Sequence, residues 1–169
     1  MITSVKKIIK SIIPYQFHFY FQGKSRNYVN KDIRKDSIKF NIDDHVYLEV
    51  YWKIYGIGKG PALIVNALGE EVLKFDCYGP GKGHYHVIVT ELQPNCRSIL
   101  HLPEQTVELQ IERAIFEIKN NLNWYLERHP LAKIRKLKIQ KSQLQAVTEE
   151  LHNQMIEYHE KVSQIQTVN

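Results

Sequence analysis

One stretch of eleven residues, 45–55, alternates between polar and apolar side chains without a break. Successive side chains of a β-strand point to opposite faces of the sheet, so this pattern predicts a strand with one face in the core. The apolar face consists of Val46, Leu48, Val50, Trp52 and Ile54. The polar face consists of His45, Tyr47, Glu49, Tyr51, Lys53 and Tyr55.

Glycine and proline divide the residues that follow into shorter segments rich in apolar side chains. Gly56–Gly60 predicts a turn, and the glycine- and proline-rich segment 77–82 predicts a loop. The predicted strands are 45–55, 61–67, 70–76 and 84–90. Strands that follow one another with short connections usually pair in sequence, so we expect an antiparallel meander of about four strands.

Two amphipathic stretches after the sheet predict a pair of long helices. An apolar stripe at helical spacing runs from Pro103 to about His129, and Pro130 ends it. A second helix, 131–165, carries a seven-residue ladder of Leu137, Leu144, Leu151, Tyr158 and Ile165. A second row of side chains at seven-residue spacing runs beside this ladder along the helix, and it is not consistently apolar. The ladder therefore fits either a hairpin with the preceding helix or a self-association arm.

The residues before the sheet are basic and irregular in pattern. Apolar side chains at helical spacing in 1–13 predict a short amphipathic helix, the aromatic run 15–21 predicts a strand, and 22–44 reads as an irregular connection. No stretch approaches the roughly eighteen apolar residues that a membrane span needs, so we expect no stable membrane insertion.

Length and composition indicate a single folded domain. A chain of 169 residues with 43% hydrophobic and 24% charged residues is typical of one globular unit. We expect an α+β domain with a basic lead at 1–44, a sheet at 45–91 and a helical pair at 103–165. Cys77 and Cys96 lack the spacing of a zinc ribbon or redox motif and are too few for a disulfide framework, so we expect a reducing, cytoplasmic location.

The net charge of +5 is concentrated in two zones. Residues 1–44 hold nine Lys and Arg against four Asp, and 133–141 hold five bases and no acid, whereas 45–100 are balanced at five against five. Two basic zones beside a neutral sheet can attract RNA or DNA phosphates. The candidate nucleic-acid contacts are Lys133, Arg135, Lys136 and Lys138. The alternative is a solvated helix face without a ligand.

The chemistry centres on the segment Gly83-His84-Tyr85-His86. Side chains two residues apart on a strand share a face, so His84 and His86 project together. If the loop 77–82 closes a hairpin, Asp76 and Lys74 fall opposite them. Alignment of the first strand by its apolar face brings further polar side chains to this face. These are Tyr47, Glu49 and Tyr51.

Three interpretations of this cluster remain open. One is a cofactor-free phosphodiester cleavage site, in which one imidazole takes a proton, the other gives one, and Lys74 steadies the phosphate. Another is a metal site with His84, His86 and Asp76 as ligands. The third is structural: the segment before the sheet covers this face, and the histidines are packed or hydrogen-bonded beneath it.

The segment 70–87, EEVLKFDCYGPGKGHYHV, combines an apolar strand, an aromatic-Asp pair, a glycine loop and His-x-His. In this it resembles small uncharacterised bacterial protein families that include the TumE-type toxins of toxin–antitoxin pairs. The resemblance implies a small cytosolic protein encoded beside a partner, with a toxic action. It matches Asp76, His84 and His86, and the chain differs in its basic lead and its long C-terminal helices.

Two functional classes follow from these observations. As an RNA-directed enzyme, the protein would use the polar face of the sheet for chemistry and the basic zones for backbone contact. As an interaction module, it would bind a second copy or another protein through the C-terminal helix, and the histidines would be structural.

Overall fold

A computed structural model of the chain describes residues 33–56, 58–88 and 98–165. In this part of the chain, six strands form one antiparallel sheet in sequential order, with helices after it. The strands are β1 (Lys35–Asn41), β2 (Val46–Tyr55), β3 (Gly58–Ala67), β4 (Glu70–Asp76), β5 (His84–Val87) and β6 (Ser98–His101). The helices are α1 (Val107–Glu127), α2 (Ala132–Arg135) and α3 (Lys141–Gln164). The predicted α+β class, with an antiparallel meander and C-terminal helices, is confirmed.

The two outer strands correct the predicted number of strands. Strand β1 lies within 22–44, which we predicted to be irregular, and β6 lies between the predicted sheet at 45–91 and the predicted first helix. Strand β1 is exposed along most of its length and its register with β2 shifts between Lys35 and Ile38, so it lacks a clean alternation. Strand β6 has only four residues. The predicted N-terminal helix and the predicted strand 15–21 lie outside the described residues.

The helix boundaries also differ from the prediction. Helix α1 begins at Val107, not at Pro103, because the Thr106 side chain caps it by accepting a hydrogen bond from the Leu109 N–H. The predicted helix 131–165 is interrupted between α2 and α3. At the break, the Asn123 side chain of α1 bonds both the N–H and the C=O of Ile139, at 2.9 and 2.8 Å. Backbone groups held in this way are not available to a continuous helix.

The leucine ladder, most of which lies in α3, is part of the core of this same chain. Helix α3 packs against α1 and against β2 and β3. Leu144, Leu151 and Tyr158 are buried, whereas Leu137 is half-buried and Ile165 is exposed at the helix end. The hairpin interpretation of the ladder therefore describes the fold. The self-association arm required an exposed ladder, and this requirement is not met.

The two faces of the sheet differ in chemistry as the alternation predicts. One face packs against the helices and supplies Leu48, Val50, Trp52, Leu63, Val65, Leu73, Phe75 and Val87 to the main core. The other face carries buried polar side chains, together with a small apolar group of Tyr51, Ala62 and Ile64. Throughout the described ranges, no helix has the length and apolar character needed to span a bilayer.

Candidate acid–base site

Strand register brings the predicted site residues together. In the β4–β5 pair, Asp76 lies opposite His84 and Lys74 lies opposite His86, as we predicted from the loop position. Tyr51 of β2 lies on the same rung as Asp76, with the small Ala62 of β3 between them. Paired residues of an antiparallel sheet share a face, so these side chains converge on the face opposite the helices.

Asp76 is the centre of this convergence. Its Oδ1 lies 3.0 Å from Lys53 Nζ, and its Oδ2 lies 3.1 Å from Lys74 Nζ. Both imidazoles direct Nε2 at Oδ2, His84 at 3.3 Å and His86 at 3.4 Å. We call these five residues the Asp76 cluster. One buried carboxylate is thus shared by two ammonium groups and two imidazoles.

Lys53 is a member of the cluster that sequence reasoning missed. Alternation places Lys53 on the polar face of the first strand. It does not show that the Lys53 side chain reaches the β4–β5 hairpin. In the structure Lys53 is opposite Gly60, and Ala62 is opposite Asp76, so only short residues of β3 separate the two charges. A Cβ atom at Gly60 would lie 2.2 Å from the Cys77 carbonyl oxygen, so this position requires glycine.

Tyr78 and the loop after β4 complete the surroundings of Asp76. The Tyr78 hydroxyl donates a hydrogen bond to Asp76 Oδ1 at 3.2 Å, a contact that no sequence signal indicated. The buried Gln110 of α1 fixes the loop, because its amide accepts from the Gly79 N–H at 3.0 Å and donates to the Gly79 carbonyl at 2.9 Å. The helical layer therefore sets the position of the loop that closes the cluster.

The protonation of His84 follows from its two partners. Its Nδ1 lies 2.8 Å from the Lys82 carbonyl oxygen, and its Nε2 faces the Asp76 carboxylate. Both partners only accept hydrogen bonds, so this geometry favours the doubly protonated ring, an imidazolium. In agreement, the hydrogen bond to Asp76 raises the pKa of His84, with burial opposing it. The exposed His101 of β6 lies beside it, with ring centroids 6.5 Å apart.

The electrostatics of the cluster favour an anion. Burial alone would raise the pKa of Asp76, but hydrogen bonds from His84 and His86 and the charges of the lysines hold it well below its ordinary value. Burial lowers the pKa of Lys53 to about 8, against the opposing effect of Asp76. Two ammonium groups therefore face a single carboxylate, and the contacts of His84 favour its protonated form. The cluster carries a net positive charge, which a phosphate would balance.

The geometry of the Asp76 cluster can also be compared with that of a metal site. Asp76, His84 and His86 each present one ligand atom, and these atoms lie within 4.8 Å of one another. The residue types suit zinc. However, both Asp76 oxygens already contact an ammonium group. A divalent cation would have to displace this positive charge, so the cluster fits an anion better than a metal.

Access to the cluster is narrow. The acid–base interpretation assumed a solvent-reachable pair, but the side chains of His84 and His86 are only 8% and 12% exposed. A cavity of about 420 Å³ is lined by Tyr78 and Lys82, but by none of the five residues of the cluster. Tyr78 contacts Asp76 and Lys82 contacts His84, so these two residues lie between the cavity and the cluster. Lys59 also lines the cavity, so the positive charge of the cavity suits an anion.

The structure does not bring the predicted nucleic-acid contacts to the cluster. These residues, Lys133, Arg135, Lys136 and Lys138, lie in and just after α2. Arg135 donates to the backbone carbonyls of His129 and Pro130 at 2.9 and 2.6 Å, and Lys138 pairs with Glu127. Two of the four therefore have structural partners at the end of α1.

The contacts made by α1 show how far these four basic residues lie from the histidines. Gln110 contacts the loop beside the cluster, whereas Asn123 contacts Ile139 next to the basic residues. Thirteen helical residues separate these two contacts, which corresponds to about 20 Å at ~1.5 Å per residue. The basic residues thus lie at the far end of the helical layer, and the helices cover the other face of the sheet.

Comparison of the chain with protein-family models, with curated proteins and with solved structures finds no match. The resemblance of segment 70–87 to TumE-type toxins therefore stays a prediction. The functional argument rests on the Asp76 cluster itself.

Proposed function

We propose that the Asp76 cluster is a metal-independent acid–base centre that binds a phosphate of RNA and cleaves the strand there. The observation that supports this most is the sharing of one buried carboxylate by two imidazoles and two ammonium groups. Buried charges are costly, and clusters with perturbed pKa values are concentrated at functional sites. The cluster supplies both proton-transfer groups and cationic groups for a phosphate.

RNA is the favoured substrate because the nucleophile has to come from outside the cluster. Among the described contacts of Asp76, the only hydroxyl is that of Tyr78, and there is no thiol. Cys77 belongs to the helix-facing core, and burial raises the pKa of its thiol well above the ordinary value. The 2′-hydroxyl of RNA is an internal nucleophile next to the scissile phosphate, and DNA lacks it.

The residues then take distinct roles in one in-line displacement. His86, oriented by Asp76 through Nε2, takes the 2′-hydroxyl proton while the bond from O2′ to phosphorus forms. The bond from phosphorus to O5′ breaks, and the leaving O5′ takes a proton from the Lys53 ammonium group, whose pKa of about 8 suits a donor near neutrality. Lys74 and the His84 imidazolium stabilise the phosphate charge. The products are a 2′,3′-cyclic phosphate and a 5′-hydroxyl.

The test is cleavage of a labelled single-stranded RNA by the purified full-length protein in excess EDTA. We expect cleavage in EDTA, and a loss of about 100-fold or more in His86→Ala, since general acid–base groups contribute ~10²–10⁴-fold. His152→Ala is the matched control, because His152 pairs with Glu112 on the helical layer. Absence of cleavage, or its abolition by EDTA, would refute the proposal.

The resemblance to TumE-type toxins implies a toxic action, which RNA cleavage would produce unless a partner restrains the enzyme. The second functional class, an interaction module acting through the C-terminal helices, lacks such support. Its Leu144 and Leu151 ladder positions are buried between α3, α1 and the sheet. We therefore propose only the enzymatic class.

A further inference from the structure

A second polar cavity lies on the same face of the sheet as the Asp76 cluster, beside β1. Its volume is about 340 Å³, and Arg34, Lys39, Glu49 and Asn66 are among the residues that line it. Glu49 lies on the same rung as Lys74 of the cluster, but the buried Ile64 of β3 stands between them. The cavity is therefore a separate site from the Asp76 cluster.

Two residues that line this cavity each carry a buried N–H donor that lacks a hydrogen-bond partner. The donors are Arg34 Nε and Asn66 Nδ2, both shielded from solvent. The side chain of Arg34 is 10% exposed, and Asn66 as a residue is 8% exposed. Buried donors are satisfied in the great majority of cases, and an unsatisfied one requires an explanation. Two of them at one cavity indicate a ligand that accepts hydrogen bonds.

The carboxylate in the cavity does not supply these missing acceptors, because its oxygens are already engaged. Arg34 Nη1 lies 3.0 and 2.9 Å from the two oxygens of Glu49, and the Ser37 hydroxyl donates to one of them at 2.7 Å. Glu49 thus holds the Arg34 guanidinium in place. Lys39 adds a second cation, with its Nζ 4.7 Å from the centre of the Tyr47 ring. Among the described lining residues, two cations face one carboxylate.

We propose that this cavity binds a phosphate group. A guanidinium matches the geometry of phosphate oxygens, a lysine adds a point charge, and the Asn66 amide supplies a neutral donor. The group can be free inorganic phosphate or the phosphate of a nucleotide, since both present the same oxygens. This site does not depend on the cleavage activity of the Asp76 cluster, and it stands if that activity fails.

The test follows the side-chain amide signals of Asn66 in ¹⁵N-correlated NMR spectra of the full-length protein. The signals are assigned by their loss in Asn66→Asp. We expect them to move saturably as inorganic phosphate is added at constant ionic strength. In Lys39→Gln, the phosphate concentration at half-saturation should rise at least about tenfold. Lys35→Gln is the matched control, because Lys35 lies on the same strand but over Trp52, on the helix-facing side; it should leave the titration unchanged.

Adenosine 5′-monophosphate distinguishes the two sources of phosphate. If it moves the Asn66 signals as inorganic phosphate does, the site accepts a nucleotide phosphate; if only inorganic phosphate does, the ligand is the free ion. Either result supports the site. Unmoved Asn66 signals with both probes would overturn it, and so would equal weakening by Lys39→Gln and Lys35→Gln, which would show general charge attraction.

Discussion

Replacement of Asp76 by asparagine should destabilise the fold strongly. Asparagine keeps the shape of the side chain but removes the charge that Lys53, Lys74 and His84 share. Loss of one partner from a buried ion pair costs about 3–5 kcal/mol, because the remaining charge stays buried without compensation. Lys53 can limit this cost by releasing its proton, since burial already lowers its pKa to about 8. We therefore expect a loss of about 3–5 kcal/mol in the free energy of unfolding.

Thermal and urea unfolding at pH 7 measure this loss. For a domain of this size about 1 kcal/mol shifts the Tm by ~2–4 °C, so Asp76→Asn should lower it by about 6–20 °C. Glu127→Gln makes the same chemical change in an exposed ion pair, where Glu127 is 43% and Lys138 is 65% exposed, and it should leave the stability almost unchanged. Equal losses of stability in the two variants would refute the account of Asp76 as a buried carboxylate that several cationic groups share. Adding Lys53→Met to Asp76→Asn should recover part of the loss.

Two further predictions concern pH and the helical layer. Because the folded pKa of Asp76 lies well below 3.8, the unfolded state binds a proton there that the folded state does not, so stability should fall as pH drops below about 3.8. Urea midpoints at pH 5 and pH 3 should show this, with a weaker acid dependence in Asp76→Asn. Leu151→Ala should cost about 2–5 kcal/mol, because the side chain is fully buried. Calorimetry measures this cost, and a loss below about 1 kcal/mol would contradict the core position of the ladder.

The sequence allowed the centre of the site to be predicted because alternation and turn position fix register. The period of two residues in β2 separated the polar face from the core, and the glycine loop placed Asp76 opposite His84. Both conclusions depend on local pattern alone. The edge strands β1 and β6 could not be predicted, because an exposed or four-residue strand carries too little alternation.

The remaining features depend on contacts between distant segments. Lys53 enters the cluster only because β3 supplies Ala62 and Gly60 between β2 and β4. The break before α3 depends on Asn123 of α1, which is 16 residues from Ile139 in sequence. Burial of the histidines likewise depends on tertiary packing, which periodicity does not reveal. The sequence therefore predicts which residues share a face, but not how deeply they are buried.

The most direct test of the proposed chemistry uses a DNA oligonucleotide that contains a single ribonucleotide, incubated with the full-length protein in EDTA. Mass spectrometry of the products identifies both new ends. The account predicts one cut, directly after the ribonucleotide, that leaves a 2′,3′-cyclic phosphate and a 5′-hydroxyl, and no cut in His86→Ala. Cleavage of the all-DNA strand, or a product with a 5′-phosphate, would contradict a mechanism in which the substrate's own hydroxyl attacks.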